Sequence, residues 1–145
     1  MTAMEIPASL RRWFVAHAAV DLAVGLPLLV APESFLRSLG WLTVDPPSAR
    51  LVGAALLAIG GQSWFGRNDG VEAYRAMLNL KLLWSAAGIY GLVAGLGAEH
   101  TPGPIWAFLA LFIAFFGVWF YYRVRIKQLS AMQDLPDDPA EDPNG

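Results

Sequence analysis

Four stretches of the chain are apolar over lengths that suit helices crossing a bilayer. They are WFVAHAAVDLAVGLPLLVA at 13–31, LVGAALLAIGGQSWFG at 51–66, AMLNLKLLWSAAGIYGLVAGLG at 76–97 and IWAFLALFIAFFGVWFYY at 105–122. The last has no charge anywhere between Pro104 and Arg123. A hydrocarbon core of about 30 Å takes roughly 20 apolar residues in helical form. The pattern therefore predicts an all-α membrane protein, a four-transmembrane-helix bundle over residues 1–130, followed by an acidic tail at 131–145.

The segments between the spans carry their own signals. In PESFLRSLG, Pro32 suits a helix start and Gly40 a helix stop, with Phe35, Leu36 and Leu39 on one side. A short helix lying on the outer membrane surface is expected there, or else a plain loop returning onto the bundle. AEHTPG is a tight connection that makes the third and fourth spans neighbours. Beyond residue 127 the helix should continue briefly. DLPDDPAEDPNG, with three prolines and no aromatic residue, is too polar and acidic to order itself. Trp13, Trp106, Trp119, Tyr121 and Tyr122 lie near span ends, where an aromatic belt belongs.

Orientation follows from the basic residues. With four spans, one side holds Arg11, Arg12, Arg67, Arg75, Arg123, Arg125 and Lys127, and the other holds Arg37 and Arg50. The positive-inside rule then places both termini in the cytoplasm. The first span resembles a signal peptide in following Arg11 and Arg12. Its apolar run is too long for one, it contains His17 and Asp21, and it offers no A-x-A cleavage site; it reads as a retained span.

Composition sharpens this reading. Of 145 residues, 56% are hydrophobic and 15% charged, whereas soluble domains carry about 25% charged residues. The absence of cysteine excludes disulfides, thiolate metal sites and thiol catalysis. Five of the twelve acids, Asp134, Asp137, Asp138, Glu141 and Asp142, lie in the tail; the ten cations against the seven other acids leave +3. That excess suits lipid headgroups as partners and falls far short of a nucleic-acid footprint.

The chemistry-bearing residues are those that break the apolar runs. At 1.5 Å per residue, Asp21 lies roughly 12 Å below the cytoplasmic end of the first span, His17 about half as deep, and Lys81 about 8 Å down the third. Asn79 is shallower than Lys81, and Gln62 is near the cytoplasmic end of the second span. Five polar side chains from three spans thus occupy one half of the membrane. His17, Asp21, Val24 and Leu28 share a helix face, as do Lys81, Ser85, Gly88, Leu92 and Gly95, and as do Leu51, Ala55, Ala58 and Gln62. A charge at mid-bilayer costs at least about 2.5 kcal/mol, so it seeks a partner or water. Asp21 and Lys81, of opposite sign and similar depth, are the expected pair, with His17 able to change charge near neutral pH. His17, Asp21, Gln62, Asn79 and Lys81 are accordingly the candidate ligand- or proton-binding residues. A purely structural role, fixing helix register, accounts for the same pattern, as does snorkelling of Lys81 to the interface. His17 and Asp21 lack a third ligand nearby, which argues against a metal site. Histidine-ligated haem is disfavoured because His100 falls in an outer loop. Ser63 and Ser85 have no base beside them in sequence and are expected to bond to backbone. Ala87, Gly91 and Gly95, at four-residue spacing, permit close approach of another helix, internal or from a second copy.

The stretches LPLLVAPESFLRSLG and ARLVGAALLAIGGQSWFGRND, with the R-V-R exit after the fourth span, resemble the small four-helix bacterial membrane proteins grouped as DoxX-like. The resemblance spans about residues 10–127 and rests on hydropathy. It implies a four-helix bundle in the bacterial plasma (inner) membrane, and a family history linked to a quinone-dependent oxidase; it transfers no catalytic residue. Three functions stay open on the sequence. The chain could bind an apolar small molecule or lipid, a quinone included, or serve as an accessory subunit of a larger membrane complex. It could be a small oligomeric transporter or proton-coupled carrier. It could be a membrane enzyme on a lipid or isoprenoid, with His17 and Asp21 as acid and base. No catalytic residue, metal or resident cofactor is assigned from the sequence.

Overall fold

The computed structural model describes residues 6–97 and 101–133. Among these every regular element is helical: α1 (Ala8–Val30), α2 (Pro32–Ser38), α3 (Pro46–Phe65), α4 (Val71–Gly95) and α5 (Ile105–Gln133), with a single 3-10 turn at Gly66–Asn68. α1, α4 and α5 are each long and apolar enough to cross a membrane. The 20-residue α3 falls outside that set because Pro46, Pro47, Ser48, Arg50 and Gln62 dilute its apolar content. The helices extend beyond the predicted spans, since polar flanking turns remain helical after the apolar run stops. α5 in particular runs to Gln133, so residues 131–133 belong to a helix and not to the expected tail. The remainder of that tail, and His100, lie outside the described residues.

Proline and glycine set the boundaries. Ala31 precedes Pro32, whose ring disfavours the α conformation at the preceding residue; Ala31 accordingly adopts φ −138°, ψ 59°, and α1 stops at Val30. Pro32 then opens α2, where its missing N–H costs nothing. α2 closes on Gly40, at φ 92°, a left-handed conformation that glycine adopts without strain. The Gly40 N–H donates to the Arg37 carbonyl at 3.0 Å and the Trp41 N–H to Leu36 at 3.1 Å, the paired bonds of a Schellman stop. This is the short helix expected between Pro32 and Gly40. Pro46 and Pro47 begin α3 in the same manner, after Asp45, whose carboxylate accepts from the Ser48 hydroxyl.

The helices form two antiparallel pairs. α1 lies along α3, with Gly25 against Gly53 and Asp21 against Gly60. A Cβ on Gly53 would sit 2.8 Å from both the Gly25 carbonyl oxygen and the Leu29 nitrogen, so the two backbones touch there. α4 lies along α5; Gly88 leaves room for the Phe112 ring, which a Cβ would approach to 2.2 Å. One core joins the pairs: Leu10 and Phe14 of α1, Tyr74 and Leu78 of α4, and Trp119, Tyr122 and Ile126 of α5. Ile6 belongs to it too, so the first and last described segments lie at the same end of the molecule. Phe14 packs edge-on to Trp119 at 5.5 Å and tilted against Tyr74 at 4.8 Å.

This arrangement corrects two expectations. Trp119 and Tyr122 are buried core residues, not members of an interfacial belt, while Trp13, Trp106 and Tyr121 are exposed. The buried face of α3 is Ala49, Gly53, Leu56, Gly60 and Ser63, not Leu51, Ala55, Ala58 and Gln62. Small residues let α1 come close, and that decides which face turns inward.

Candidate functional site

Four buried polar side chains meet where the two helix pairs join. α1 contributes His17 and Asp21, one turn apart; α3 contributes Ser63; α4 contributes Lys81. Ser85, one turn beyond Lys81, is buried beside them. Each sits on the inward stripe of its helix, so burial of that stripe carries the polar group with it.

The Lys81 ammonium is enclosed. Its Nζ donates to Ser63 Oγ at 2.6 Å and lies 3.1 Å from His17 Nδ1. It is also 4.9 Å from the ring centres of both Phe14 and Trp119, within cation–π range. Ser63 is free to accept because its own proton goes to the Ile59 carbonyl at 2.7 Å. The His17 ring is fixed edge-on to Phe115 at 4.6 Å and to Trp119 at 5.2 Å.

Asp21 approaches the same ring nitrogen. Its Oδ2 is 2.8 Å from His17 Nδ1, an ion-pair distance, yet no donor is aligned on that oxygen as a hydrogen bond. The expected direct Asp21–Lys81 contact is therefore replaced by a series, Ser63–Lys81–His17–Asp21, in which both charges converge on His17 Nδ1.

Two of the five sequence candidates lie elsewhere. Gln62 is exposed, its amide 3.9 Å from the Met77 sulfur; it is adjacent to Ser63 in sequence and so points away from the face that Ser63 occupies. Asn79 is exposed and accepts from Arg123 Nε at 2.7 Å, which ties α4 to α5 outside the cluster. Ser63 was missed as a site residue. The signal that could have found it is its spacing from Gly53 and Gly60, the small positions of α3.

The Asp21 end of the cluster opens onto space. A cavity of about 40 Å³ is bounded by His17, Asp21, Ser85 and apolar side chains, among them Val20, Leu111 and Phe115; Lys81 does not line it. A larger cleft of about 440 Å³ adjoins this chamber, sharing Val24, Leu56, Trp84, Phe108 and Phe112 as walls. Phe35, Leu36 and Trp41, from α2 and the turn after it, close one end of the cleft. Its rim includes the exposed Val52, Ala87 and Gly91, so it opens sideways between α3 and α4. Gly91 meets no atom within 4 Å of a built Cβ, and thus borders the cleft and makes no close helix contact within the chain. Among the described residues no group of His, Asp and Glu could hold a metal ion.

No family model, no curated protein and no solved structure matches the chain.

Proposed function

We infer that this chain is a four-helix integral membrane protein that binds a small apolar molecule or lipid carrying a polar head. The observation that bears the reading is the apolar cleft lying against a chamber walled by Asp21, His17 and Ser85. Ligand sites are typically apolar chambers with a few placed polar groups that set orientation. An ionisable group at membrane depth marks such a site by default. The opening between α3 and α4 faces sideways, the direction from which a molecule dissolved in lipid arrives.

The architecture completes the proposal. α3 serves as the fourth span, since 20 residues reach about 30 Å and α3 lies antiparallel along α1. Both termini then face the cytoplasm, on the balance of basic residues. Membership among the DoxX-like proteins of the bacterial inner membrane belongs to the same proposal, as does a quinone among the ligands. The nucleophile–base pair that the cluster holds, Ser63 and Lys81 at 2.6 Å, lines neither the chamber nor the cleft, which favours binding over catalysis.

Native mass spectrometry of the protein released from nanodiscs tests this directly. A discrete additional mass retained by the wild type, and lost when Gly91→Leu fills the cleft, is the expected result. A bare protein in both cases would overturn the reading and leave the cluster a structural brace.

A further inference from the structure

The polar cluster is lopsided, and its asymmetry names the kind of head it receives. Resting on the binding reading above, we propose that the chamber selects a neutral hydroxyl head, which donates its proton to the Asp21 carboxylate and accepts from Ser85. Three observations carry this. The cation is walled off: Lys81 is held by Ser63 and His17, covered by Phe14 and Trp119, and absent from the chamber wall. The anion is presented: Asp21 lines the chamber, with Oδ2 turned to His17 at 2.8 Å. Ser85, also on the wall, has a hydroxyl that can give or take a hydrogen bond.

A carboxylate offers only acceptors, so a head that donates is the one Asp21 can engage. A carboxylate head would instead meet Asp21 with like charge in an apolar chamber, and an ether or ester head would bring an acceptor to an acceptor. The hydroxyl is the small neutral head that can satisfy Asp21 and engage Ser85 at once.

The test equilibrates the nanodisc-embedded protein with an equimolar mixture of dodecan-1-ol, its methyl ether and dodecanoate, and weighs the complexes released. The alcohol should be retained at least about tenfold over the ether and over the carboxylate, as expected for a hydrogen bond to a charged acceptor. In Asp21→Asn, whose amide also offers donors, the preference over the ether should fall below about threefold. Equal retention of all three by the wild type overturns the head preference while leaving the binding reading intact. Dominant retention of dodecanoate overturns it in favour of recognition by Lys81. Retention of none removes the binding reading and this inference together. Because wild-type selectivity alone decides the matter, the test does not depend on the variant folding.

Discussion

Lys81 Nζ lies 3.1 Å from His17 Nδ1, and the same ring nitrogen lies 2.8 Å from Asp21 Oδ2. One nitrogen cannot accept from the ammonium and donate to the carboxylate at once. Donation from Lys81 to Nδ1 puts the ring proton on Nε2. Nitrogen-15 spectra of selectively labelled protein should show an unprotonated Nδ1 in the wild type. Removing the ammonium in Lys81→Met should move the proton to Nδ1, where it can bond Asp21. A protonated Nδ1 in the wild type would contradict the assignment.

The same series couples two charges that do not touch. Breaking a buried charge arrangement from one side typically costs about 3–5 kcal/mol, because the partner is left uncompensated. Lys81→Met should lower stability by roughly that amount. Adding Asp21→Asn should return about 1 kcal/mol or more, since neighbouring groups in one network are not additive. Unfolding of the single and double variants in mild detergent measures both. Strictly additive losses would show that His17 insulates the charges and does not link them.

How far the sequence disclosed this site depends on the helix. In α1 the two polar residues are one turn apart in an apolar run, so their shared face was legible, and depth along the span placed Lys81 beside them. In α3 it was not. Lipid is as apolar as a protein core, so outward and inward faces differ little in hydropathy, and periodicity carries little information. Gly53, Gly60 and Ser63 determine the buried face there through size, and a reading of polarity selected Gln62 instead. The same uniformity hid Trp119: α5 is apolar on every side, and only packing against Phe14 and His17 distinguishes the core tryptophan from the exposed Trp106. The α2 stop at Gly40 was legible because it depends on local backbone conformation. The cleft was not, since it arises where α3 and α4 fail to meet.

The α1–α3 contact makes a sharp prediction about size. At Gly53 a Cβ would press on two backbone atoms, Gly25 O and Leu29 N, each at 2.8 Å. Backbone cannot rotate away, so Gly53→Ala must separate the helices, at a cost of about 1–3 kcal/mol for overpacking. Gly91→Ala, with nothing within 4 Å, should be neutral or gain up to about 1 kcal/mol from helix propensity. Thermal unfolding of the pair checks this. An equal response would mean that the close contact contributes nothing.

Gly60 connects that contact to the site. Its Cβ would fall 2.7 Å from Asp21 Cβ, so Gly60→Ala displaces the carboxylate without altering any polar group. Retention of dodecan-1-ol should fall by about tenfold, the scale of a lost charged hydrogen bond, while dodecyl methyl ether, held by the cleft alone, should be retained as before. Parallel loss of both probes would show that the substitution acts by general loosening.

Whether α3 crosses the membrane can be tested with the chain's lack of cysteine, which makes any introduced thiol unique. Thr43, before α3, and Asn68, after it, are both exposed, so each can carry a cysteine without disturbing the core. If α3 spans, the two positions lie on opposite sides, and the basic residues near Asn68 place it inside. A membrane-impermeant maleimide applied to intact cells should label Thr43→Cys, and should reach Asn68→Cys only after permeabilisation. Labelling of both from one side would leave α3 a surface helix. The cleft between α3 and α4 would then border water and not lipid, and an apolar ligand would have no sideways route into it.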